Sequence, residues 1–152
     1  MLQYVEFPTV HLRQTPDARG ETIKQHKAVY QSNTSGRKDL VFFFSWLKDK
    51  KVKHIINLIV EDTKDSHADD AIEACLSGLR VDVLDWSKPD LDPEMLSDAC
   101  PDVRELHLYW GGNNAILRAW AEPGGLRRLR SLERIYLYYD QVCITFWVAR
   151  VF

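Results

Sequence analysis

The chain has 152 residues, 45% of them hydrophobic and 28% charged, with a formal net charge of −2. That is enough for one domain with its own core and too apolar for a disordered segment; the near-neutral balance lacks the basic footprint that nucleic acid requires. No apolar run reaches the roughly 18 residues of a membrane-spanning helix, no signal-peptide pattern opens the chain, and Cys75, Cys100 and Cys143 are too sparse for a disulfide framework, so a reducing, cytoplasmic setting is expected.

In chain order, "LQYVEFPTV" reads as a strand that Pro8 pushes toward a sheet edge. Residues 11–35 are polar and rich in turn signals, and a mobile segment is expected there. "DLVFFFSWLKDKK" is a helix with Leu40, Phe43, Phe44 and Leu47 on one apolar stripe. Phe42 and Trp46 form a second stripe, which predicts burial on two sides. Ser35 or Asp39 serves its first turn, and the following "KDKKVK" reads as a solvated helix end. "VKHIINLIVED" is nearly continuous in apolar residues, as for a strand covered on both faces. "DSHADDAIEACLSG" is a helix with Ser66 and Asp69 as an S-x-x-D capping box and Gly78 as its left-handed stop.

"VDVLDW" is the next strand. "LDPEMLSDAC" is a short helix capped by Asp92, with Pro93 at its first position and Leu91 stapled to Leu96. "VRELHLYW" is a strand, "NNAILRAWA" a helix capped by Asn113 or Asn114, and "LERIYLYY" a further strand. The apolar "QVCITFWVARVF" follows as a final buried strand or as a tail foreign to the domain. The expected organisation is residues 1–34 as an edge strand plus the polar segment, 35–140 as an α/β domain, and 141–152 as the tail.

Strands that alternate with helices, without short hairpin signals between them, call for parallel pairing through crossovers. The expected fold is α/β, a mostly parallel sheet of four to five strands with crossover helices. A weak repeat offers an alternative. Ile55, Leu58, Val60; Val81, Leu84, Trp86; Val103, Leu106, Leu108; and Leu132, Ile135, Leu137 all fit apolar-x-x-apolar-x-apolar. That spacing suits a leucine-rich-repeat-like solenoid fragment. The asparagine that would bind successive turns together three residues later is absent: Thr63, Pro89, Gly111 and Asp140 stand there.

Ligands of open parallel sheets sit beyond the carboxyl ends of the strands. Those ends supply the candidate binding residues Asp62, His67, Asp85, Trp110, Asn113 and Asn114. With Glu61, Asp65 and Asp140 they form an acidic rim of the kind a divalent cation takes, so a small ligand- or metal-binding α/β protein is the alternative function. The bland reading assigns these residues to loops, caps and strand surfaces, and no metal or cofactor is expected. Cys75 and Cys100 fall on apolar helix faces rather than in the electropositive setting of a catalytic thiol. The glycines of "WGGNN" match no phosphate-binding spacing, and no G-x-S-x-G elbow is present.

Residues 35–140 resemble the region ahead of the protease domain in fungal intracellular subtilisin-like serine proteases. The matching positions are Phe43, Phe44, Trp46 and Leu47 of an FF-x-WL helix; His67 and Asp69 at a helix start; Asp85 and Trp86; and Leu108, Tyr109, Trp110, Gly112, Asn113, Asn114, Leu117, Arg118 and Trp120 of an LYW-x-GNN-x-LR-x-W block. The resemblance implies a non-catalytic accessory or interaction domain with a protein partner, a protease domain or a regulator. It implies no catalytic residue here, since the family's catalytic motifs lie downstream of this region. The sequence departs from the pattern after Asp140.

Overall fold

A computed structural model describes residues 1–8, 36–62, 65–140 and 142–148. The polar stretch between the first strand and residue 36, with the expectation of mobility placed on it, lies outside the described residues, as do Ser35, Thr63 and residues 149–152.

Strands β1 (Leu2–Phe7), β2 (His54–Val60), β3 (Arg80–Pro89), β4 (Glu105–Tyr109), β5 (Arg134–Tyr139) and β6 (Val142–Trp147) form one sheet in sequence order. The fold is α/β, with six strands rather than four to five. All pairings from β1 to β5 are parallel, and β5–β6 is antiparallel. Helices α1 (Leu40–Asp49), α2 (Asp69–Leu76), α3 (Pro93–Ala99) and α4 (Asn114–Ala121), with a 3-10 turn at Leu126–Arg128, fill the crossovers. Neighbouring helices touch in order, α1 with α2, α2 with α3, and both α3 and α4 with the 3-10 turn. They therefore form one layer on one face. This is the connectivity of a solenoid, in which each strand–helix unit stacks on the previous one.

Register explains the core. Leu58, Leu84 and Leu106 lie level across β2, β3 and β4, as do Val60 and Trp86 across β2 and β3. All are buried under the helices. The earlier residues Ile55, Val81, Val103 and Leu132 are buried as well, and Ile135 and Leu137 pack against the same core. Every position of the apolar-x-x-apolar-x-apolar template thus faces the helix layer. Phe44 of α1 stacks on Trp86, centroids 6.1 Å apart, and lies 5.2 Å from Phe7. Hydrophobic burial joins the first three strands to α1 at that point.

Four local expectations need correction. Only one stripe of α1 is buried, Leu40, Val41, Phe44 and Leu47; Phe42 and Trp46 are exposed, because no second layer among the described residues packs on the far side. β2 is likewise not covered on both faces by the described elements: Ile59 is half-buried. In a sequential sheet the crossovers supply only one layer. Ser66 does not cap α2, which starts at Asp69 with Ala68 as its cap residue and no side-chain cap bond; the Ser66 hydroxyl instead donates to the Asp62 carbonyl at 3.0 Å. Asp92 does cap α3 and Asn113 caps α4. The segment after Asp140 is a strand, but an exposed one, since the helix layer ends before it. Asp140 turns the chain at φ 55°, a conformation Asp tolerates in tight hairpins.

The contrast within α1 can be measured by urea denaturation. Phe44→Ala should cost about 3–5 kcal/mol, as for a fully buried aromatic, whereas Phe42→Ala should stay within about 0.5 kcal/mol of the parent.

Candidate functional site

The sequence candidates fall into three environments. The first is buried. Asp62, at the end of β2, and His67, before α2, are each 1% exposed. Asp62 is a hub: its carboxylate accepts from the His67 amide at 2.9 Å, from Trp86 Nε1 at 2.8 Å, and faces His67 Nδ1 at 2.9 Å. The second ring nitrogen of His67 lies 2.8 Å from Asp39, whose carboxylate also binds Arg37 at 2.8 Å. Burial alone would raise the Asp62 carboxyl, but the hydrogen bonds from His67 and Trp86 outweigh it and hold the group below its ordinary 3.8. The entry to α1 is stitched alongside this hub by Arg37 N to Ser66 O at 3.2 Å and Ala68 N to Arg37 O at 3.1 Å. Gly36, at φ 131°, permits that approach; a Cβ there would lie 2.7 Å from the Ala68 nitrogen. Asp62 and His67 thus fasten β2, β3, α1 and α2 together, with little surface to offer a ligand.

The second environment is the "WGGNN" loop. Gly111 N donates to Asp90 Oδ1 at 2.7 Å, and a Cβ on Gly111 would meet the other carboxylate oxygen at 2.5 Å. The anion beside these glycines is therefore the protein's own Asp90. Asn113 accepts from the Ala115 amide at 3.0 Å as the cap of α4, and Asn114 is the first helical residue. Trp110 donates to the Asn113 carbonyl at 2.9 Å and packs on Tyr139, centroids 4.6 Å apart. The loop is a capped turn with exposed asparagines.

The third environment is the sheet face opposite the helices, and it carries Asp85. The register aligns two rows across it. One runs Tyr4, Asn57, Val83, Glu105, Arg134, Trp147; the other runs Glu6, Ile59, Asp85, His107, Tyr136, Thr145. Tyr109 and Tyr138 are level beyond them. Tyr109 OH donates to Asp85 at 2.7 Å, and His107 Nδ1 lies 2.9 Å from Tyr138 OH and 3.5 Å from Asp85. The rings stack: His107 on Tyr136 at 4.5 Å, Tyr109 on Tyr138 at 4.7 Å. Arg134 binds Glu105 at 3.2 Å and Tyr136 OH at 2.8 Å, and lies 4.1 Å from the centre of the Trp147 ring. No helix or strand among the described residues packs on this face.

Burial lowers the His107 imidazole against the opposing pull of Asp85 and Glu105, so the ring is held neutral and the Tyr138 hydroxyl can donate to Nδ1. Burial, then the bond to Asp85, raises the Tyr109 phenol. The Tyr138 phenol is pushed up to about 12, first by burial and then by Cys143. Off this face, burial pushes the Cys75 and Cys100 thiols up to about 12. Among the described residues, no group of three or more His, Cys, Asp or Glu side chains is placed to hold a metal ion.

Sequence reasoning named Asp85 but missed its company. His107, Tyr136, Tyr138 and Arg134 were not among its candidates, and Tyr109 entered only as a position of the resemblance. The signal was present in the repeat: Ile59, Asp85, His107 and Tyr136 all occupy the last variable position of the template.

Two measurements follow. Asp62→Ala leaves the His67 ring and the Trp86 N–H without their buried partner, and should cost about 3–5 kcal/mol in urea unfolding. For His107 the folded-state value lies below the unfolded 6.5. The unfolded chain then binds more protons below that pH, so this contribution is complete above 6.5 and is lost as pH falls through the folded value. Thermal unfolding from pH 7.5 to 4.5 should show that loss, and His107→Gln should flatten it.

Compared with protein-family models, curated proteins and solved structures, the chain matches none of them.

Proposed function

We propose that this chain is a non-catalytic protein-interaction module whose helix-free sheet face receives the partner. The observation that carries this reading is a parallel sheet with one face left without a covering layer among the described residues. Parallel sheets are ordinarily covered on both faces; solenoids are the exception, and they use the uncovered face for binding. Composition supports it. Tyrosine, tryptophan and arginine are the residues that carry binding energy at protein interfaces, and the face displays Tyr4, Tyr109, Tyr136, Tyr138, Trp147 and Arg134 together.

Two unsatisfied atoms add weight. Asn57 Oδ1 and Arg134 Nε are buried without a hydrogen-bond partner, and both stand in the same row of the face. Such groups carry a penalty until something pairs with them. The phenols of Tyr109 and Tyr138 are both displaced toward the protonated form, which suits hydrogen-bond donation better than nucleophilic or proton-transfer chemistry. The face carries the carboxylates of Glu6, Glu61, Asp85 and Glu105 against the guanidinium of Arg134, so the segment it suits is basic. The likeness to the region preceding fungal subtilisin-like proteases supplies a setting, an accessory domain acting on a protease or its regulator. A cytoplasmic location belongs to the same proposal; among the described residues no helix is long and apolar enough to cross a membrane.

Fluorescence anisotropy with arginine-rich and glutamate-rich peptides of equal length tests the reading. The basic peptide should bind with salt-sensitive affinity. Tyr136→Ala and Asp85→Asn should each weaken it about tenfold, the range of an interface anchor. Equal binding of both peptides, or binding indifferent to both substitutions, would overturn it, while Asn114→Ala in the capped loop should leave it unchanged.

A further inference from the structure

The outer edge of β6 is a different surface, with its own logic. We propose that β6 pairs antiparallel with β6 of a second copy of this chain, about a two-fold axis at Thr145, making one continuous sheet across two molecules.

The backbone sets the register. Val148 N donates to Glu133 O at 2.9 Å, and the β5–β6 pairing Arg134↔Trp147 places those two residues opposite each other. They are thus a hydrogen-bonded pair. Antiparallel ladders alternate bonded and non-bonded pairs. Ile135 with Phe146, Leu137 with Ile144, and Tyr139 with Val142 are then bonded. The N–H and C=O groups of Cys143, Thr145 and Trp147 point away from β5, toward the open edge.

Among the described residues, nothing protects that edge. Natural edge strands are blunted by charges, prolines or bulges. Val142–Trp147 contains no charged residue and no proline. The opposite edge differs: β1 carries Glu6 and is followed by Pro8.

The edge is also complementary to itself. A two-fold at Thr145 sets Thr145 against its own copy and Cys143 against the second copy's Trp147. On the other side of the sheet, Ile144 meets the second copy's Phe146, and Val142 meets its Val148. Threonine pairs and aromatic–β-branched pairs are favourable cross-strand neighbours. The exposed fractions are 57% for Val142, 49% for Ile144, 48% for Phe146, 71% for Trp147 and 37% for Val148. At on the order of 100 Å² exposed per side chain, the two copies present about 1,000 Å² of apolar surface along the seam, of which edge pairing covers the flanks, less than a standard specific interface buries. Main-chain hydrogen bonds add to that, which predicts a reversible, concentration-dependent dimer. Opposite residues share a face of the sheet, so both Asp85–His107 faces would lie on the same side.

Sedimentation velocity across a concentration series is the test. The expected result is a reversible monomer–dimer equilibrium. Thr145→Pro removes an outward N–H that β5 does not use, as edge positions allow. It should raise the dimer dissociation constant about tenfold or more with an unchanged circular dichroism spectrum. In a Cys143→Ser, Thr145→Cys variant the new thiols face each other across the two-fold. That variant should form an intermolecular disulfide under copper–phenanthroline oxidation, while buried Cys75 and Cys100 stay unreactive. A wild-type monomer throughout, growth into open-ended oligomers, a folded Thr145→Pro variant that dimerises as the parent does, or no cross-link in the Thr145→Cys variant would each overturn the proposal.

Discussion

A parallel strand that pairs with its own neighbour in sequence can reach it only by a crossover, and the hand of that crossover is nearly invariant. Repeating the step from β1 to β5 without reversing direction along the sheet places every connecting helix on the same side. The rest of the molecule depends on this constraint. It gives the strands one apolar face and one displayed face. It explains why Phe42 and Trp46 point away from the core although α1 looks apolar all round. It also explains why β6, which returns antiparallel rather than through a helical crossover, finds no helix among the described residues to cover it.

A solenoid needs something to tie one turn to the next at the strand ends, because the loops there carry backbone groups that no ladder satisfies. The usual asparagine is absent, and carboxylates and hydroxyls perform the task. Asp62 collects the amide of His67, its ring and the indole of Trp86, while the Asp62 amide donates to Ser87 Oγ at 2.7 Å. One unit further, Asp90 receives the Gly111 amide and its own amide donates to the Tyr109 carbonyl at 2.8 Å. A carboxylate accepts more hydrogen bonds than an amide oxygen and holds them more strongly. It costs more to bury, and the hydrogen bonds that His67 and the Trp86 indole make to Asp62 offset that cost.

The alternation of strands and helices, the parallel pairing and the two side-chain caps at Asp92 and Asn113 were legible in the sequence because each is a local pattern. The repeat was legible too, down to the residues that fill the core. Less legible was what depends on the number of layers. An apolar strand reads the same whether one or both faces are covered, so β2 was expected to be buried twice. Ser66 illustrates a second limit. The S-x-x-D pattern fits a capping box, but the chain spends the serine on the Asp62 carbonyl and begins the helix at Asp69, a choice made by the buried hub rather than by the local pattern. The site was half legible: Asp62, His67 and Asp85 were named, yet their grouping as neighbours at strand ends ignored that Asp85 and Trp86 point to opposite faces.

Parity also separates stability from recognition. Asn57, Val83, Glu105 and Arg134 form one variable column of the repeat, and Ile59, Asp85, His107 and Tyr136 form the next. Between them stand Leu58, Leu84, Leu106 and Ile135, facing the helices. A change in a variable column alters what the sheet displays while leaving the buried column in place, since successive side chains along a strand point to opposite faces. The coupling that remains runs through the sheet plane, where Tyr109 is held by Asp85 one strand away and Arg134 by Glu105. Such cross-strand pairs fix the orientation of the displayed rings before any partner arrives, so less side-chain freedom is lost on binding. A face ordered in this way can recognise a partner without a pocket.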